Sequence, residues 1–110
     1  MSQVLRKIKQ MWPDADPQEI LGILNVYGTE SYETGQTRVQ LAILKLSEGD
    51  RERLPDLVKM AKVDFRDVLA YAEYPQEMRT DPIKMRDMPE EEAQSIRQRD
   101  REQYESWLKK

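Results

Sequence analysis

An apolar run at positions 37–50, TRVQLAILKLSEGD, constrains the fold more than any other segment of the chain. Its aliphatic side chains recur at helical spacing on two faces. The first face carries Tyr32, Gln36, Val39, Ala42, Ile43 and Leu46, and the second carries Leu41 and Leu44. A helix that is apolar on two faces must be covered on two sides. The sequence therefore predicts a central helix, well formed from about residue 36, that its neighbours enclose.

Further helices are predicted on both sides of this one, and no segment shows convincing strand alternation. Each has apolar side chains at i, i+3 or i+4 spacing, and four carry a residue at the start whose side chain can cap the first amides. The predicted ranges are 3–12 (cap Ser2), 17–27 (cap Asp16, with Gly28 as the stop), 51–62 (cap Asp50) and 65–74 (cap Asp64).

The C-terminal third has a different pattern. Residues 76–88 lack periodicity, so a surface loop is expected there. Residues 89–110 predict a long helix that starts at Pro89, with acidic residues at its positive end and two lysines at its negative end. Its apolar residues are Ala93 and Ile96, then Tyr104, Trp107 and Leu108, separated by the polar stretch RQRDREQ. Such a helix either touches the body at both ends or docks a partner.

These elements predict an all-α fold. We expect a compact bundle of about five short helices around the central apolar helix, plus the long C-terminal helix. The expected organisation is a helical core over residues 1–75, a surface loop over 76–88 and a C-terminal helix over 89–110, within a single domain. A chain of 110 residues is long enough to bury one core.

Composition narrows the function. The chain contains no Cys and no His, so zinc sites built from those residues, thiol chemistry and the commonest general base are excluded. The net charge is −3 and acids are interleaved with bases, which disfavours nucleic acid. The acidic segment PDADPQE does not continue with the Gly at position six and the Glu at position twelve of a calcium loop, and it is interpreted, like EGDRE, as a cap and turn, so no metal is expected. Without a secretory segment or a span, we expect a small soluble cytoplasmic protein.

These features are compatible with three functions. The preferred one is a non-catalytic protein–protein interaction module without a cofactor, which binds a protein partner or a second copy through the C-terminal helix. Trp and Tyr are enriched at binding hot spots, so the predicted contact residues are Ile96, Tyr104, Trp107 and Leu108. The alternative is a DNA-binding transcriptional regulator of helix-turn-helix type, which would read bases with Gln36, Arg38, Gln40 and Lys45. An enzyme centred on Lys, Tyr or a carboxylate is the third and would need a closed polar pocket.

The segments RVQLAILKLSEGD and DFRDVLAYAEYP together resemble a group of short bacterial proteins with no assigned activity. The resemblance covers residues 27–75 best. It implies a bacterial cytoplasmic protein and no particular chemistry. The matched positions, among them Val39, Leu44 and Val68, are packing positions, so the resemblance implies no site residue.

Overall fold

The computed structural model describes residues 3–29, 35–80 and 82–110, all of them in helices, turns or coil. The predicted cap Ser2 and the stripe residue Tyr32 lie outside these ranges. Within them there are eight α-helices and one 3₁₀ turn, and no strand, so the predicted all-α class is confirmed. The chain divides into two compact units, Met1–Leu69 and Ala70–Lys110, with the boundary inside the fifth helix.

The N-terminal unit contains α1 Gln3–Met11, α2 Pro17–Leu24, α3 Gln36–Ser47, a 3₁₀ turn Arg51–Arg53, α4 Leu54–Val63 and the start of α5 Phe65–Glu73. The C-terminal unit contains the rest of α5, then α6 Pro75–Arg79, α7 Pro82–Asp87 and α8 Glu90–Lys109.

The central position of α3 is confirmed. Every residue from 39 to 44 on this helix is buried, while Leu46 is half-buried. Both α1 and α4 pack against α3, and α2 packs against the same two helices, so the apolar faces of α3 are covered from two sides. This packing follows from the two-faced pattern, since an uncovered second face would leave Leu41 and Leu44 in water.

The three aspartate caps are also confirmed. Asp16 Oδ1 accepts the Gln18 N–H at 3.0 Å, and Asp50 Oδ1 accepts the Glu52 N–H at the same distance. Asp64 Oδ1 accepts the Arg66 N–H at 3.0 Å at the start of α5. A short carboxylate satisfies amides that have no partner within the first turn, which is why this residue type marks each start. Two ends differ from the prediction: α2 stops at Leu24 and the chain continues in a turn to Gly28, and Asp50 caps the 3₁₀ turn Arg51–Arg53 that leads into α4.

Two predictions of organisation need correction. Residues 76–88 were expected to form a surface loop, but they contain most of α6 and all of α7. Both short helices begin with a proline, which favours the first helical position even where no apolar periodicity follows. The predicted division after residue 75 also differs from the structure, because α6 packs against α8 and the C-terminal unit therefore starts at Ala70.

Candidate functional site

Asp100 is the fully buried carboxylate of α8, in the middle of the polar stretch RQRDREQ. Its Oδ1 accepts the Gln76 N–H at 3.0 Å, and its Oδ2 accepts the Glu77 N–H at 3.0 Å. These are the first amides of α6, so a side chain from a distant helix supplies the cap that α6 does not find in its own preceding residue. The polar centre of α8 is therefore joined to α6 by the two hydrogen bonds that Asp100 accepts.

A polar cleft of about 320 Å³ lies next to this junction. Tyr74 lines one wall, and α8 supplies Gln94, Arg97, Gln98 and Arg101. The Arg97 Nε donates to Glu77 Oε1 at 3.2 Å, and Gln98 Nε2 donates to Glu102 Oε1 at 3.1 Å. The cleft is thus lined by guanidinium, carboxamide and phenol groups.

Sequence reasoning missed this cleft. The signal was present, because residues 94, 97, 98 and 101 follow i, i+3, i+4, i+7 and so share one face of α8. The stretch was interpreted only as a polar gap between apolar residues. The sequence could not indicate that Tyr74, which lies between α5 and α6, also lines the cleft.

The predicted contact residues of the C-terminal helix are not equally accessible. Tyr104 is only 9% exposed and belongs to the interior of the C-terminal unit, so the structure does not present its ring as a surface anchor. Trp107 stacks on Tyr104, with ring centroids 5.9 Å apart and planes at 26°. Trp107, Ile96 and Leu108 are half-buried and keep part of their surface accessible.

The C-terminal unit has a small apolar core. Among its described residues only Ala72, Ala93 and Tyr104 are buried apolar side chains, whereas the described residues of the N-terminal unit include fourteen. Meanwhile Tyr71, Met78 and Ile83 are 45%, 39% and 61% exposed. A unit of this length buries a limited share of its surface, and such units commonly gain stability by association.

The N-terminal unit has a second cavity, of about 330 Å³, at the corner between α4 and α5. Val63 at its edge is 87% exposed, and the Lys62 Nζ donates to the Val26 carbonyl at 3.0 Å. The Arg66 side chain and then its backbone N–H donate to the Asp64 carboxylate and hold the pKa of Asp64 below its ordinary value. This is an exposed ion pair next to a mostly apolar depression.

The four residues proposed for reading DNA differ in accessibility. Gln40 is buried and donates to the Leu24 carbonyl at 3.0 Å. Gln36 Nε2 lies 3.4 Å from the Tyr27 carbonyl oxygen, and Lys45 is half-buried. Arg38 is exposed on α3. Of the four, Gln36 and Arg38 are thus exposed at the start of α3, where a recognition helix contacts base edges, and the DNA-binding alternative stays a prediction.

Trp12, the other tryptophan, is half-buried in the N-terminal unit, and its indole N–H donates to the Gly49 carbonyl at 3.1 Å.

No cluster of three or more acidic side chains in the described ranges has the arrangement of a metal site. In the same ranges, no helix combines the length and the apolar character that crossing a membrane requires.

Comparisons of the chain with protein-family models, with curated proteins and with solved structures found no match. The resemblance to short bacterial proteins therefore stays a prediction from the sequence.

Proposed function

We propose that this chain is a non-catalytic protein–protein interaction module that docks through its C-terminal unit. The observation that carries the proposal is the contrast between three buried apolar side chains and the exposed Tyr71, Met78 and Ile83 in that unit. Apolar surface that the chain leaves accessible gains free energy when a partner covers it. The proposal keeps Ile96, Trp107 and Leu108 as contact residues and assigns Tyr104 the role of supporting Trp107 from below.

The partner we propose is a second copy of the chain, paired through α8. Ile96 and Trp107 are eleven residues apart, which is about three helical turns, so both lie near one side of α8. Glu90, Glu91 and Glu92 occupy the first turn, and Lys109 lies in the last. An antiparallel pair places the acidic end of each copy beside the basic end of the other, and a two-fold axis repeats each contact.

The non-catalytic part of the proposal is supported by the use of the buried carboxylate. Both oxygens of Asp100 accept backbone N–H groups of α6, so this group is occupied as a cap. General acid–base chemistry requires a carboxylate or base placed to exchange a proton with a substrate. DNA binding, the bacterial origin and the cytoplasmic location stay predictions from the sequence.

Sedimentation velocity of the full chain over a range of concentrations tests the proposal. We expect a concentration-dependent dimer that Ile96→Ser weakens by at least about tenfold, because apolar anchors at interfaces each contribute more than about 1 kcal/mol and a two-fold axis counts each change twice. Lys109→Glu should weaken the dimer, and adding Glu91→Lys should restore it, because the two charges then exchange places.

Val63→Ser is the matched control. It removes the same kind of side chain from an 87% exposed position outside the C-terminal unit, and it should leave the dimer unchanged. Circular dichroism of each variant checks that the helices persist. A monomer at every concentration, or a dimer lost in Val63→Ser and kept in Ile96→Ser, would contradict the proposal.

A further inference from the structure

The polar cleft of the C-terminal unit lies on a different face of α8 from Ile96 and Trp107. At 3.6 residues per turn, Arg101 lies roughly 140° around the helix from Ile96. The four α8 residues that line the cleft are long and polar, and they stand one turn apart in two adjoining rows. The docking face and the cleft can therefore be altered independently.

The walls of the cleft are fixed to each other. The two hydrogen bonds that Asp100 accepts hold the first turn of α6, and with it Tyr74, against α8. Gln103 Nε2, which also donates to the Asp100 carbonyl at 2.8 Å, lies 3.4 Å from the Ala72 carbonyl oxygen. A buried anchor between the two walls means that the cleft exists before any ligand arrives, which lowers the cost of ordering it on binding.

Two guanidinium groups line the cleft, and no carboxylate is among the described residues that line it. Three acids bond to the lining side chains: Glu77 to Arg97, Glu90 to Gln94 and Glu102 to Gln98. Within the ranges that the structure describes, the Arg101 guanidinium makes no hydrogen bond and no ion pair. The cleft therefore offers a free guanidinium next to a second one.

We propose that this cleft binds the phosphate group of a small phosphate monoester. Guanidinium groups present planar pairs of N–H donors that match the geometry of phosphate oxygens, and these charge-assisted hydrogen bonds are stronger than neutral ones. Carboxamide N–H groups and the Tyr74 hydroxyl add neutral donors for the same anion. A volume of about 320 Å³ lies at the lower end of the range for small-molecule sites, which accommodates a phosphate and a short organic group.

A titration followed by ¹H–¹⁵N NMR tests the proposal on the full chain, with inorganic phosphate and phenyl phosphate as probes. We expect saturable shifts at the Arg97 and Arg101 Nε–H groups and at the side-chain amides of Gln94 and Gln98. Phenyl phosphate should bind more tightly if the organic group also occupies the cleft, and equally if the anion alone is recognised. Both results support phosphate recognition and distinguish its two forms.

Arg101→Gln should weaken binding by about tenfold, since a charge-assisted hydrogen bond contributes on the order of 1.5 kcal/mol or more. Arg99→Gln is the matched control, because Arg99 is also exposed on α8 and makes no hydrogen bond or ion pair with any described residue, but it does not line the cleft. Shifts that do not saturate, or an equal loss in both variants, would overturn the proposal, since either result indicates a general effect of surface charge.

Discussion

At the scale of a single residue, Asp100 joins two helices of the C-terminal unit, α8 and α6. Its carboxylate is fully buried, which is costly for a charge unless hydrogen bonds replace the lost water. The N–H groups of Gln76 and Glu77 supply those bonds at 3.0 Å each. The same two amides would otherwise be unsatisfied at the start of a five-residue helix. Removing this carboxylate therefore leaves the first amides of α6 without an acceptor and α8 without its hydrogen bonds to α6.

Asp100→Ala should destabilise the C-terminal unit by about 2–3 kcal/mol, because two charge-assisted hydrogen bonds disappear and two amide donors lose their acceptor. Amide hydrogen exchange of Gln76 and Glu77 should become much faster. Asp100→Asn keeps the size and one acceptor oxygen, and should lose less. Glu102→Ala, at an exposed position of the same helix, should change neither quantity. Unchanged protection of both amides in Asp100→Ala would contradict this role.

At the scale of an element, α2 and the turn after it show two glycines with opposite requirements. Gly22 lies inside α2, and a Cβ built there meets no atom within 4 Å. Gly28 lies in the turn with a φ of +105°, and a Cβ there would stand 2.7 Å from Gln36 Nε2. At position 22, glycine only increases the conformational entropy that the chain loses on folding. At position 28, the positive φ requires a residue without a Cβ.

Gly22→Ala should raise the free energy of unfolding by up to about 1 kcal/mol, the difference in helix propensity between the two residues. Gly28→Ala should lower it by about 1–3 kcal/mol, because an L side chain is strained at this backbone angle even if Gln36 moves. Urea unfolding of the two variants beside the parent measures both changes. An unchanged or raised free energy of unfolding in Gly28→Ala would show that the turn does not require glycine.

At the scale of the whole molecule, the two units have cores of unequal size. Among the residues that the structure describes, six consecutive positions of α3 are buried in the N-terminal unit, and fourteen apolar side chains form its core. The described part of the C-terminal unit buries three apolar side chains, together with Asp100. Local stability follows the amount of buried apolar surface, so the units should not open with equal ease.

Native-state hydrogen exchange at low protein concentration should reveal this difference. Amides of residues 41–44 on α3 should exchange at least about tenfold more slowly than those of residues 98–101 on α8, because the latter need only the smaller unit to open. At high concentration, the amides of α8 should gain protection if the proposed dimer forms. Equal protection of both helices in dilute solution would mean that the chain unfolds as one cooperative unit.

Much of the fold was predictable because its determinants are local. The caps at Asp16, Asp50 and Asp64 depend on residues within one turn, and the burial of α3 follows from the spacing of its own aliphatic residues. The prediction of a loop over residues 76–88 was wrong, because the prolines that begin α6 and α7 were the only local signal and no apolar periodicity follows them. The cap of α6 comes from Asp100, 24 residues after Gln76, and no local pattern contains that contact.

The sequence by itself determined the helical class, the central place of α3 and the starts of its neighbours, since side-chain periodicity and capping act over a few residues. Only the tertiary structure decided that Tyr104 is interior, that Gln40 bonds to the Leu24 carbonyl, and that Tyr74 and Arg101 line one cleft. These results depend on which distant backbone groups and side chains meet. The physical reason is that burial and hydrogen-bond partners are properties of packed neighbours, and periodicity within one helix does not specify them.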